Sequence, residues 1–231
     1  MDAAVAAAAF RGGNGRANAA RLRGDLASLA AGLRRCLLWD YPQRGGAEAC
    51  GRVAACLRAR DFPRAAAVVV DGAPFFALDA AAFTAARAPR FAVLDGGGAP
   101  RWAAAAEAAA YGAALGAAGA RLAAFDGAGA FDAGLGAAGL AAPSLWGWLL
   151  DYPAVYAFAD GAAAARTVAC GTATVFTLET AGGLAGPAFS APDALVDADL
   201  EAAMERLLGA LRPSLPGVRY ARRPARGAVA F

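Results

Sequence analysis

The chain contains no histidine, no lysine and no isoleucine. Without histidine there is no imidazole to move protons near neutral pH, no Ser-His or Cys-His pair and no histidine metal ligand. Without lysine there is no Schiff base and no phosphate-gripping Walker lysine. Any catalysis must draw on Asp, Glu, Arg, Tyr, Cys or Ser, with a metal ion as the natural helper. About a third of the 231 residues are alanine and every basic residue is arginine, a bias that suggests a GC-rich coding sequence. The larger apolar residues still suffice for a core, though a thin one per residue.

Cysteine is also scarce. Cys36, Cys50, Cys56 and Cys170 form no C-x-x-C and no zinc spacing. They read as free thiols in a reducing compartment, which makes a cytoplasmic location the expectation. The N-terminal stretch carries Asp2 where a secretory signal has a basic residue, and its apolar run is short. Arg11, Arg16, Arg21 and Arg23 leave an organelle transit peptide as the alternative. Residues 133–150 are free of charge but hold four glycines and a proline, which suits a loop better than a membrane span. No membrane partner is expected.

The net charge of +3 is too small to imply a polyanionic partner. Arg219, Arg222, Arg223 and Arg226 surround Tyr220 and offer one weak nucleic-acid reading through phosphate contact. A solvated edge strand explains the same residues.

Residues 1–18, rich in alanine and glycine, read as a disordered or frayed segment, and 19–231 as one globular domain. Leu22, Leu26, Leu29 and Leu33 recur at helical spacing up to about residue 35. Residues 36–41 read as a strand and 47–58 as a helix with Cys50, Val53, Ala54 and Leu57 inward. Two apolar runs flank Asp71-Gly72-Ala73-Pro74, a hairpin signal. Next come a short helix near 80–86, a strand over 90–95, a helix over 102–122 and a glycine-rich loop over 125–142. A turn or two of helix follows at 145–150 with Ser144 as cap, ended by Pro153. Residues 154–158 and 167–178 read as a hairpin across Asp160-Gly161. Asp193 caps a helix over 194–211 whose stripe is Leu200, Ala203, Met204, Leu207 and Leu211. Short strands at 218–221 and 228–231 finish the list. The expected class is α/β to α+β: a single domain with a mixed sheet, hairpins and helices on its faces.

Asp-Tyr-Pro occurs twice, at 40–42 and 151–153, each time where an apolar element ends. Proline blocks continuation, aspartate accepts turn amides, and tyrosine covers the core edge with its hydroxyl near water. With CLLWDYP, VVVDGAPFFAL, WGWLLDYPAVYAF and CGTATVFTLE, residues 36–179 resemble an uncharacterised eukaryotic family of unknown function. The resemblance implies an intracellular domain and brings no activity, cofactor or catalytic residue.

Asp40, Asp71, Asp95 and Asp151 close apolar runs. Carboxylates gathered beyond strand ends could hold Mg²⁺ or Mn²⁺ for phosphoester hydrolysis, with Asp40, Asp95 and Asp151 as the catalytic set. Each also makes sense as a turn residue. Gly134, Gly136 and Gly139 match G-x-G-x-x-G without the strand-turn-helix context that nucleotide binding needs. Gly96-Gly97-Gly98 lies better, between a strand and a helix, but equally suits a plain connection. Trp146, Trp148, Tyr152 and Tyr156 are candidates for a protein interface if they are exposed together. The expected function is a non-enzymatic interaction or scaffold domain with no cofactor and an unknown protein partner. The alternatives are the divalent-metal hydrolase and the arginine-rich nucleic-acid contact.

Overall fold

The computed structural model describes residues 5, 9–10, 15–41, 45–70, 72–83, 89–94, 99–125, 130–131, 140–158 and 172–225. In chain order the elements are α1 (Gly15–Ala30), β1 (Leu37–Leu38), α2 (Gly46–Arg58), β2 (Ala66–Val70), β3 (Ala73–Ala77), a 3₁₀ turn (Ala80–Phe83), β4 (Arg90–Leu94), β5 (Arg101–Trp102) and α3 (Ala105–Ala123). They continue with β6 (Ala130–Phe131), α4 (Ala142–Leu149), β7 (Ala154–Phe158), β8 (Ala173–Glu179), β9 (Ala185–Pro192), a 3₁₀ turn (Asp193–Leu195), α5 (Ala198–Leu211) and β10 (Arg219–Ala225). The class is α+β. The described strands lie in three small sheets, two mixed and one antiparallel, where the sequence suggested one mixed sheet. The chain forms two compact units, Met1–Ala85 with Gly119–Ala133, and Ala86–Ala118 with Gly134–Phe231.

In the first unit the sheet order is β1-β3-β2-β6. Val70 pairs with Ala73, so β2 and β3 form the expected tight hairpin, with Gly72 supplying the positive φ of 79°. The inward faces of α1 and α2 bury Leu22, Leu26, Leu29, Val53, Ala54 and Leu57 with Phe76 of β3 in one core. A fully buried leucine or phenylalanine contributes roughly 1.5–3 kcal/mol each. Val5 and Ala9 join this core, so the N-terminal stretch is not frayed at those positions. Helix α1 likewise begins at Gly15, inside the segment expected to be unstructured. It ends early, at Ala30, because Gly32 takes φ 74° and the Leu33 amide returns to the Ser28 carbonyl at 2.9 Å.

In the second unit β4 pairs antiparallel with β5 and parallel with β7, and β8 lies between β9 and β10, antiparallel to both. The expected hairpin joining residues 154–158 to 167–178 is therefore wrong: β7 pairs with β4, and β8 takes β9 and β10 as partners. Strand β9 went unread because Gly186, Pro187 and Pro192 look like loop. Gly186 is required there, since a Cβ would lie 2.8 Å from that of Leu178. Trp102 sits in β5, ahead of α3. Asp197, not Asp193, caps α5, accepting the Leu200 amide at 2.9 Å, and the predicted apolar stripe is buried. Ser144 acts from inside α4, its hydroxyl accepting the Ala141 amide at 3.2 Å. The predicted turn at Asp160-Gly161 and the strand at 228–231 lie outside the described residues.

Candidate functional site

Both Asp-Tyr-Pro segments are built by packing. In the first, Trp39 extends the β1–β3 ladder through its amide to the Pro74 carbonyl at 2.8 Å. This turns the rings of Trp39 and Tyr41 together at 4.8 Å, edge to face, with Phe10 5.3 Å from Tyr41. The Tyr41 hydroxyl donates to Asp25 at 2.5 Å. Burial, and then that carboxylate, push the Tyr41 hydroxyl well above its ordinary pKa. Asp40 points outward, its side chain 52% exposed, and accepts from Arg21 at 2.5 Å. The same guanidinium lies 4.8 Å over the Tyr41 ring. The hydrogen bond to Asp40 raises the Arg21 pKa further. Arg34 approaches Asp25 at 3.4 Å. Two arginines, two carboxylates and one phenol thus form a polar lid on this core, with Asp40 paired to Arg21 at its exposed rim.

In the second segment Asp151 is 8% exposed and adopts φ 65°, the sole non-glycine residue with positive φ among the described residues. Its amide donates to the Trp148 carbonyl at 3.1 Å and the Tyr152 amide to the Gly147 carbonyl at 3.0 Å. Those two bonds are the Schellman stop of α4, with Asp151 where glycine usually stands. Gly147 lets the Tyr152 ring come close: a Cβ would meet its Cδ2 at 3.3 Å. Tyr152 then packs 5.8 Å from Phe189, which stacks on Phe176 at 5.1 Å.

Asp71 and Asp95, the other members of the proposed carboxylate set, lie outside the described residues, as do Cys170 and both glycine motifs. Among the described residues no group of three or more His, Cys, Asp or Glu could hold a metal. Several further acids have structural partners. Asp197 caps α5 and also accepts the Trp102 indole N–H at 2.6 Å. Glu107 takes both Arg101 nitrogens at 2.8 and 2.9 Å and the Ala104 amide at 2.8 Å. The Arg101 pair, then the amide, hold its carboxyl down at about 2. Asp193 is held low by hydrogen bonds from Thr172 and Thr174.

The arginine-rich strand is similarly engaged. Arg219 pairs with Glu179 at 3.4 Å and Arg222 with Glu201 at 2.7 Å, while Tyr220 packs against Phe189 at 5.9 Å. Arg223 is exposed, and Arg226 lies outside the described residues. Of the aromatic segment, Trp148 is 3% exposed and faces the interior of its unit. Trp146, Tyr152 and Tyr156 are half-buried, with the Tyr156 hydroxyl donating to the Ser190 carbonyl at 2.8 Å.

The feature that sequence reasoning missed is a concavity of about 260 Å³ in the first unit. Leu26 of α1, Leu57 of α2, Phe62 and Leu78 form its apolar walls, while Arg23, Arg60 and Asp61 supply its charge. Arg23, Leu26, Ala27 and Ala30 lie on one helical face, which is the only local trace of it in the sequence. The rest of the lining comes from Val5, ahead of the helix, and from residues 57–78, far along the chain. An open apolar hollow with a few charged groups is the usual form of a ligand pocket. No family model, curated protein or solved structure matches this chain. Among the described residues, no helix is long and apolar enough to cross a membrane.

Proposed function

We propose that this chain is a non-catalytic binding domain of the cytoplasm. One observation carries the reading: Asp40 and Asp151, the described acids best placed for chemistry, are used to build the fold. Asp40 is neutralised by Arg21, and Asp151 sits in the left-handed turn that stops α4. The cysteines Cys36 and Cys50, buried in the core, suit a reducing compartment. The missing histidine and lysine remove the usual acid–base groups.

The test is a manganese titration followed by the electron paramagnetic resonance signal of the free ion, with wild type and Asp40→Asn. The reading expects the signal to track added metal up to millimolar concentration in both proteins. A saturable site in wild type that disappears in Asp40→Asn would overturn it in favour of a metal-dependent hydrolase.

A further inference from the structure

We propose that the concavity between α1 and the end of α2 binds a single-chain amphiphile with a carboxylate head. This rests on the binding-domain reading and names its ligand. Val5, Leu26, Leu57, Phe62 and Leu78 give the hollow its apolar lining, and transfer of an alkyl tail from water onto such a lining is favourable in proportion to the area covered. The size bounds the tail. An apolar cavity of about 150 Å³ accommodates a benzene molecule, so a volume of about 260 Å³ suits a tail of roughly six to ten carbons.

The charge bounds the head. Arg23, Arg60 and Asp61 line the hollow, and Arg23, exposed on α1, is the guanidinium placed to meet a bound head group. A guanidinium matches a carboxylate through two parallel N–H donors, and it stays charged at every relevant pH. An ammonium head would meet like charge, and a neutral hydroxyl would gain no ion pair.

The experiment is isothermal titration of the full chain with octanoate, octanol and octylammonium. Octanoate is expected to bind one to one and about tenfold more tightly than octanol, the size of effect one charge-assisted contact gives. Octylammonium is expected to bind more weakly than either. Arg23→Gln, at an exposed position, should abolish the preference for octanoate over octanol. Ala27→Leu, also at an exposed helical position, should fill the hollow and remove binding of all three probes while leaving the melting temperature unchanged. Ala30→Leu is the second filling variant. Equal affinity for octanoate and octanol, an unchanged preference in Arg23→Gln, or no binding by wild type would each overturn the ligand class. Binding that survives both filling variants would overturn the site. None of those outcomes alters the manganese result, so failure here is distinct from failure of the binding-domain reading.

Discussion

The Tyr152 amide reaches the Gly147 carbonyl at 3.0 Å because Asp151, next to it in the chain, holds φ 65°. A left-handed residue costs roughly 1 kcal/mol in any side chain but glycine, somewhat less for Asp or Asn. If the aspartate serves this turn, Asp151→Gly, which holds that φ without strain, should be the more stable of two substitutions. Asp151→Val, whose branched side chain resists that φ, should lose about 2 kcal/mol or more. Urea unfolding of the three proteins checks the order.

Two glycines make opposite predictions. Gly186 has no room for a methyl group, with Leu178 atoms at 2.8 and 2.9 Å from the ideal Cβ. Gly186→Ala should therefore cost about 1–3 kcal/mol through overpacking of β8 against β9. Gly112 lies mid-helix in α3 with nothing within 4 Å of its Cβ position. Gly112→Ala should stabilise by about 0.5–1 kcal/mol through helix propensity alone. Thermal denaturation of both variants decides the pair.

The buried Cys50 thiol sets an alkaline limit. Burial raises the Cys50 thiol from an ordinary 9.0 to about 12. Between those values the unfolded chain gives up the proton and the folded chain keeps it, so stability falls as pH rises from about 9 towards 12. Below pH 9 both states hold the proton and the effect vanishes. Tyr41, raised by burial and by Asp25, adds a slope of the same sign above about pH 10. Unfolding free energies at pH 7, 9 and 10.5 should converge less steeply in Cys50→Ala and Tyr41→Phe than in wild type. In native protein, alkylation mapped by peptide mass should find half-exposed Cys56 before the buried Cys36 and Cys50.

Asp197 does two jobs, capping α5 and accepting from Trp102 ninety-five positions earlier. Asp197→Ala should cost about 2 kcal/mol, the sum of a cap and a side-chain hydrogen bond. Asp197→Asn, whose amide offers one acceptor oxygen, should keep one of the two bonds and recover about half of the loss. In a double-mutant cycle with Trp102→Phe the two changes should couple, because they share one bond.

Elements with local signals were readable. The hairpin at Gly72 and the α5 stripe of Leu200, Met204, Leu207 and Leu211 need only neighbours in sequence. The parallel partner of β7 was not, because its pairing with β4 spans more than sixty residues and leaves no turn signature. Strand β9 was hidden by its prolines, which an outer strand of the sheet tolerates. The candidate site was the least legible part. Asp40 looked like a strand-end ligand until Arg21 appeared beside it, nineteen positions away. The apolar hollow is assembled from a helix face, a helix end and a strand end, and alanine at 27 and 30 gives no pattern by itself.

The most direct test of the central claim, that the acids of the Asp-Tyr-Pro segments serve the fold and not a metal, is the melting temperature of wild type and Asp151→Gly, each with and without millimolar Mn²⁺. A ligand that binds only the folded state must raise that temperature. The account predicts that Asp151→Gly folds cooperatively and that metal shifts the melting temperature of neither protein. A rise of several degrees in wild type with Mn²⁺, lost in Asp151→Gly, would contradict it.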